Sequence, residues 1–64
     1  MGNAMAKYKI GDTFTVNDAA NFYHGERATI IHYSTFSSGT VYTAQITRPS
    51  GTRITFAIRE DKIQ

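Results

Sequence analysis

The residues able to perform acid–base or metal chemistry are two histidines, His24 and His32, and nearby acids such as Asp12, Asp18 and Glu26. Neither the HxxxH nor the ExxH spacing, each of which places two metal ligands on one face of a helix, occurs in the chain. No serine lies in the G-x-S-x-G turn that exposes a nucleophile. We therefore expect no enzyme, no metal site and no cofactor.

Arginine and aromatic side chains are instead the candidates for binding a partner. Stacked rings and guanidinium groups suit bases and phosphates, but tyrosine and arginine are also enriched in protein interfaces. A cage for a cation would need several aromatics to converge, with Tyr23, Tyr33 and Phe36 as the candidates. The candidate partner-binding residues are Tyr23, His24, Arg27, Tyr33, Arg48, Arg53 and Arg59.

Residues 28–60 must position most of these side chains, and their pattern predicts a three-stranded antiparallel meander. The loops Ser37-Ser38-Gly39 and Pro49-Ser50-Gly51 share one pattern, a type I turn followed by a left-handed residue. We expect positive φ at both glycines, and Pro49 presets φ for its turn.

Loop length then predicts the register of the meander. The second loop pairs Ile46 with Ile54, Ala44 with Phe56, and Tyr42 with Ile58. The first loop pairs Ile30 with Ile46, His32 with Ala44, and Ser34 with Tyr42. Because side chains alternate between faces, the predicted core face consists of Ala28, Ile30, Tyr42, Ala44, Ile46, Ile54, Phe56 and Ile58.

The same alternation predicts the opposite, outward face of the meander. Tyr33 is expected there beside Thr43, together with Arg53 and Arg59, both exposed. His32 is expected to point inward as a partly buried structural residue. The full predicted outward set is Ile31, Tyr33, Val41, Thr43, Gln45, Thr47, Arg53, Thr55, Ala57 and Arg59.

The rest of the chain is expected to complete a small barrel. Residues 8–16 alternate as a first strand, with Tyr8, Ile10, Phe14 and Val16 on one side. In the loop 17–25, one helical turn is expected over residues 19–22, with Phe22 covering the barrel end. Ile63 is expected to return to the core as a short last strand. Residues 1–6 are expected to be disordered or a cloning remnant, and residues 7–64 to form the domain.

Composition limits the class of protein. The 64 residues suit one domain, there is no cysteine, and the net charge is +2. No apolar run is long enough to span a membrane, and we expect a cytoplasmic location. Between residues 28 and 58 the only charged residues are Arg48 and Arg53, so the meander is neutral to basic.

The segment from Ile10 to Val16, with Gly11-Asp12 near its start, is followed by a loop ending at Gly25 and by two hairpins. This pattern resembles small SH3-like barrels of the KOW type, although Ala28 replaces a second glycine usual in KOW segments. The resemblance implies an all-β, five-stranded SH3-like barrel. Such barrels bind RNA, DNA, peptides and proteins, so fold does not decide function.

These observations together predict a non-catalytic binding module. We expect a nucleic-acid-binding or nucleoprotein-associated protein. The alternative is a protein–protein interaction or assembly protein, of phage or prophage origin as its small size suggests. The sequence leaves the oligomeric state and the identity of the partner open.

Overall fold

The computed structural model describes residues 7–63, and the predicted disordered segment 1–6 lies outside them. The fold is all-β, as predicted. Four antiparallel strands form one open sheet in the order β1-β2-β3-β4. A single 3₁₀ turn, Glu60–Lys62, follows the last strand. The strands are β1 (Thr13–Thr15), β2 (Arg27–Phe36), β3 (Gly39–Thr47) and β4 (Arg53–Arg59).

The core lies on one face of the sheet and contains the residues that the alternation predicted. Six of the eight predicted residues are buried, while Ile54 and Phe56 are half-buried and pack against the others. Phe56 therefore lies at the margin of the core and not at its centre. Three residues from outside the meander complete the core, namely Phe14, Val16 and Ile63.

The register between β3 and β4 is confirmed throughout. Ile46 lies opposite Ile54, and Ala44 lies opposite Phe56. The loop closes as expected, since the Arg48 N–H donates to the Thr52 carbonyl at 2.8 Å. Gly51 has a φ of 95°, where a Cβ would be strained. Loop chemistry therefore predicts this hairpin correctly.

The predicted register between β2 and β3 is wrong by one residue at the loop and by a second at a bulge. Phe36 pairs with Gly39, so the loop is the two residues Ser37-Ser38, although Gly39 has the expected positive φ of 135°. The register then shifts between Ile30 and His32, which leaves Ile31 as the extra residue of a β-bulge.

The two errors have different consequences along β2. On the N-terminal side of the bulge the two register errors add to a shift of two residues. Ile30 therefore faces the core as predicted but lies opposite Ala44 instead of Ile46. On the C-terminal side of the bulge only the loop error remains, and a register shift of one residue moves each side chain to the opposite face. Tyr33 lies opposite Tyr42, and His32 opposite Thr43.

The last described residues lie beside the end of the first strand. The predicted first strand is shorter than expected, and Ile10 is 62% exposed instead of lying with Phe14. Ile63 is buried as predicted, and it pairs with Val16 through an isolated bridge. The Asn17 N–H donates to the Lys62 carbonyl at 2.9 Å beside this bridge.

The loop between β1 and β2 forms successive turns instead of the predicted helical turn. The Asn21 N–H donates to the Asp18 carbonyl, and the His24 N–H donates to the Asn21 carbonyl. Phe22 does not cover the core, because it is 87% exposed. Its neighbour Tyr23 does so instead, with its ring 5.1 Å from that of Phe56.

Candidate binding surface

The outer face of the sheet, opposite the core, holds Arg53 and Arg59. Arg53 lies opposite Thr47 and Arg59 opposite Val41, as predicted. Both arginines are exposed, whereas Ile58 on the other face of β4 is buried. These two predicted site residues therefore share one accessible surface.

Arg27 joins them on the same face. It lies opposite Thr15 at the start of β2, and its Nη2 donates to the Thr13 hydroxyl at 2.9 Å. Thr29, two residues further on, pairs with Gln45. Arg27 is therefore level with Thr47 and Arg53. Two strand spacings of about 4.8 Å place the Arg27 and Arg53 backbones about 10 Å apart.

Tyr33 and His32 lie on the faces opposite to those predicted, because the β2–β3 loop is one residue shorter than expected. Tyr33 was predicted beside Arg53 and Arg59, but it lies on the core side with its ring 5.9 Å from that of Tyr42. His32 was predicted to be inward and partly buried, but it is exposed on the outer face opposite Thr43. The histidine thus replaces the tyrosine on this surface.

Arg48 is engaged within the fold. Its guanidinium forms a bidentate interaction with the Glu26 carboxylate, the second contact measuring 3.2 Å. The hydrogen bond to Glu26 raises the pKa of Arg48. Its position opposite Thr52 also gives it the parity of Ile46, on the core side. Arg48 therefore ties the loop before β2 to the β3–β4 hairpin.

The predicted patch around Tyr23 and His24 is also engaged within the fold. His24 Nδ1 accepts a hydrogen bond from the Asp18 N–H at 3.0 Å. Tyr23 contacts Phe22 and Phe56, whereas Tyr33 contacts Tyr42. Phe36 lies on the outer face by its parity with His32. The three rings considered for a cation cage therefore do not converge.

The acids lie away from the strands, so they leave the outer face basic. None of the four strands contains an aspartate or glutamate. Asp12 and Asp18 accept hydrogen bonds from nearby backbone N–H groups, and Glu26 pairs with Arg48. Among the acids of residues 7–63, Asp61 alone approaches an outer-face arginine, with its Oδ1 3.8 Å from Arg59 Nε.

One partly buried polar cluster was not predicted from the sequence, namely the clasp formed by Lys7, Tyr8, Tyr42 and Glu60. The Tyr42 hydroxyl donates to Glu60 Oε2 at 2.6 Å and accepts from the Tyr8 N–H at 3.2 Å. The Lys7 N–H donates to the same Glu60 oxygen at 3.0 Å. The sequence signal for this cluster was a tyrosine at a position predicted to face the core, because a buried hydroxyl needs a hydrogen-bond partner.

The clasp shifts the ionisation of both side chains. Burial, followed by the hydrogen bond to Glu60, raises the pKa of Tyr42. The hydrogen bond from Tyr42, followed by that from the Lys7 backbone, lowers the pKa of Glu60. The protonated phenol and the ionised carboxylate therefore stabilise each other and hold Lys7 and Tyr8 against the sheet.

An open cleft of about 290 Å³ lies beside the β2–β3 loop. Its walls include Arg59, Glu60 and Asp61, together with the first residues of β3. Both signs of charge line it, so it offers no concentrated site for an anion. Within residues 7–63 no three histidine, cysteine or acidic side chains cluster in a way that could hold a metal ion.

Comparison of the chain with protein-family models, curated proteins and solved structures found no match. The part of the chain described here also has no helix of the length and apolar character needed to cross a membrane. The outer face itself is therefore the feature from which a function can be inferred.

Proposed function

We propose that this protein is a non-catalytic binding module whose outer face binds nucleic acid. One observation supports the proposal above others. Arg27, Arg53 and Arg59 share one exposed sheet face whose strands contain no acid. Guanidinium groups make bidentate contacts with phosphate and remain charged at any physiological pH.

The spacing of these arginines suits an extended polyanion. Arg27 and Arg53 lie at one end of the sheet, about 10 Å apart. Arg59 lies six residues beyond Arg53 on the same strand, which corresponds to about 20 Å. Between them are small and polar side chains able to contact bases or sugars, namely His32, Thr43, Gln45, Thr55 and Ala57.

We also propose that the sheet belongs to a five-stranded SH3-like barrel. The bridge between Val16 and Ile63 supports this, because it brings the end of the chain back to the edge next to β1. The single 3₁₀ turn after β4 provides the change of direction. In this reading Ile63 represents the fifth strand.

The test is a fluorescence anisotropy titration with single- and double-stranded DNA and RNA at two salt concentrations. Affinity should fall steeply as salt increases, because phosphate contacts release counterions. The double variant Arg53→Ala with Arg59→Ala should lose binding and flatten the salt dependence. Its melting temperature should stay close to that of the unmodified protein, since both side chains are exposed.

The matched control is the double variant Lys7→Ala with Lys9→Ala, which removes the same charge from the segment before β1. The Lys7 and Lys9 hydrogen bonds involve backbone N–H groups, so the fold is retained. Equal loss of affinity in both double variants would show non-specific charge attraction. Absence of binding by the unmodified protein to every nucleic acid would reject the proposal.

A protein partner is the second candidate function, and exposed apolar side chains favour it. Phe22 and Phe36 are 87% and 53% exposed, in the β1–β2 loop and at the end of β2 respectively. Exposed aromatics of this kind are typical anchors in protein interfaces. Salt-insensitive binding to a protein, without nucleic-acid binding, would favour this candidate.

A further inference from the structure

The outer edge of β4 has no partner strand within residues 7–63, since β4 is last in the sheet order and pairs only with β3. Edge strands are usually protected by proline, by charged side chains or by a bulge. The register of β4 is continuous, its sequence RITFAIR contains no proline, and its two charged residues, Arg53 and Arg59, lie at its ends. The edge is therefore seven residues of regular strand available for pairing.

The backbone groups on this edge can be assigned from the loop. Arg48 and Thr52 form a hydrogen-bonded pair, because the Arg48 N–H donates to the Thr52 carbonyl. Hydrogen-bonded pairs alternate in an antiparallel ladder, so Ile54 and Phe56 direct their N–H and C=O groups toward β3. Those of Thr55 and Ala57 therefore point away from the sheet. These N–H and C=O groups are positioned to form the hydrogen bonds of one further strand.

The core face is also incomplete along this edge. Ile46 is 5% exposed and Ala44 is fully buried, whereas their partners Ile54 and Phe56 on β4 are only half-buried. An added strand would place its alternate side chains beside these two residues. Burial of such apolar surface would stabilise the added strand.

The charges on β4 indicate what kind of strand fits. Arg53 and Arg59 lie at its two ends on the outer face, with five uncharged residues between them. Antiparallel pairing with a second copy over the full strand would oppose Arg53 to Arg59 at both ends, and like charges directly opposite are destabilising. A shift by two residues avoids this repulsion but leaves two of the seven residues unpaired.

We propose that the free edge of β4 binds an extended segment of a partner protein as an added strand. The segment carries carboxylates opposite Arg53 and Arg59, and apolar side chains opposite Ile54 and Phe56. This goes beyond the proposed nucleic-acid function, because it depends on the backbone of Thr55 and Ala57 and not on the arginines alone.

The probe is a capped seven-residue peptide with glutamate at both ends, valine at positions two, four and six, and threonine at three and five. Its pattern matches β4 in either direction. Binding is followed by NMR of the labelled protein. We expect the Thr55 and Ala57 amides to shift and to become protected from hydrogen exchange. A peptide with lysine at both ends should bind at least about fivefold more weakly than the glutamate peptide.

The variant Ala57→Pro removes an edge N–H without removing a bond to β3, since proline is tolerated where its N–H would face solvent. It should abolish peptide binding, whereas Ala57→Ser should bind as the unmodified protein does. Neither variant changes the charge, so binding to single-stranded DNA should persist in both if the outer face is the nucleic-acid site.

Three outcomes would overturn the edge proposal. One is the absence of any peptide-induced shift in the unmodified protein, a measurement that does not depend on the folding of a variant. Another is protection of the Thr55 and Ala57 amides in a dimer of this chain, detected by sedimentation, since a second copy would then occupy the edge. The third is equal affinity for the glutamate and lysine peptides.

Discussion

Replacing Tyr42 by phenylalanine tests the clasp with the smallest change of shape. The substitution removes the hydroxyl that donates to Glu60 and accepts from the Tyr8 N–H. Hydrogen bonds to charged groups contribute about 1.5–3 kcal/mol, and half-exposed Glu60 favours the lower end. The partly buried Tyr8 N–H also loses its acceptor, so we expect the free energy of unfolding to fall by about 2 kcal/mol in total.

A loss of this size is large for a domain of 64 residues. It corresponds to a fall in melting temperature of roughly 15 °C, or to about 2 M in urea midpoint at a slope of about 1 kcal/mol/M. The assay is urea denaturation followed by circular dichroism. Tyr33→Phe is the matched control, because Tyr33 is more exposed and lies outside the clasp. We expect it to change stability by less than about 0.5 kcal/mol.

The pH dependence of unfolding tests the same contact independently. The lowered pKa of Glu60 means that its stabilisation is present above the carboxyl's usual value of 4.5 and is lost as pH falls through the folded-state pKa. The raised pKa of Tyr42 acts in the opposite direction, since its stabilisation is present below pH 10.0 and is lost as pH rises through the folded-state pKa. Tyr42→Phe should reduce the first loss and remove the second. An unchanged urea midpoint at pH 7, or an acid loss as large as that of the unmodified protein, would refute this account of the clasp.

Two further substitutions test the turns and the core. Gly51→Val should lower the free energy of unfolding by about 1–2 kcal/mol through backbone strain alone, because φ is 95° and no atom lies within 4 Å of the added Cβ. Gly51→Asn should lower it by less when both variants are compared by thermal denaturation. Equal losses would contradict the strain argument. In the core, Phe56→Ala should lower the free energy of unfolding by about 2 kcal/mol because the ring is half-buried. Phe14→Ala should lower it by about 4 kcal/mol because that ring is 1% exposed. The reverse order in urea denaturation would show that Phe56 is the more central residue.

The β3–β4 hairpin was predictable because a local signal determines it. Pro49 and Gly51 select one loop type, and the apolar residues on both strands agree with the resulting register. The β2–β3 hairpin has a similar loop sequence but no proline, and it adopts a shorter loop. The bulge at Ile31 has no local signature, because both Ile30 and Ile31 suit a strand and only packing decides which one faces the core.

The candidate site was predictable to the same extent as the strands that hold it. Arg53 and Arg59 followed from the correct register, whereas Tyr33 and His32 exchanged faces because the β2–β3 loop has two residues and not three. The engagement of Arg48 with Glu26 joins two loops far apart in the chain. Neither alternation nor turn chemistry carries information on such contacts, since both describe only neighbouring residues.

The contacts that join the first and last parts of residues 7–63 have a consequence for the order of folding. Each hairpin of the meander closes over a loop of two or three residues, while the Lys7–Glu60 hydrogen bond closes a separation of 53 residues. Closing a long loop has a higher entropic cost and is slower than forming local contacts. The meander should therefore form first, and the junction around Glu60 and Ile63 should form last. The same junction should open first in the native protein, exposing its amides to exchange while β3 stays protected.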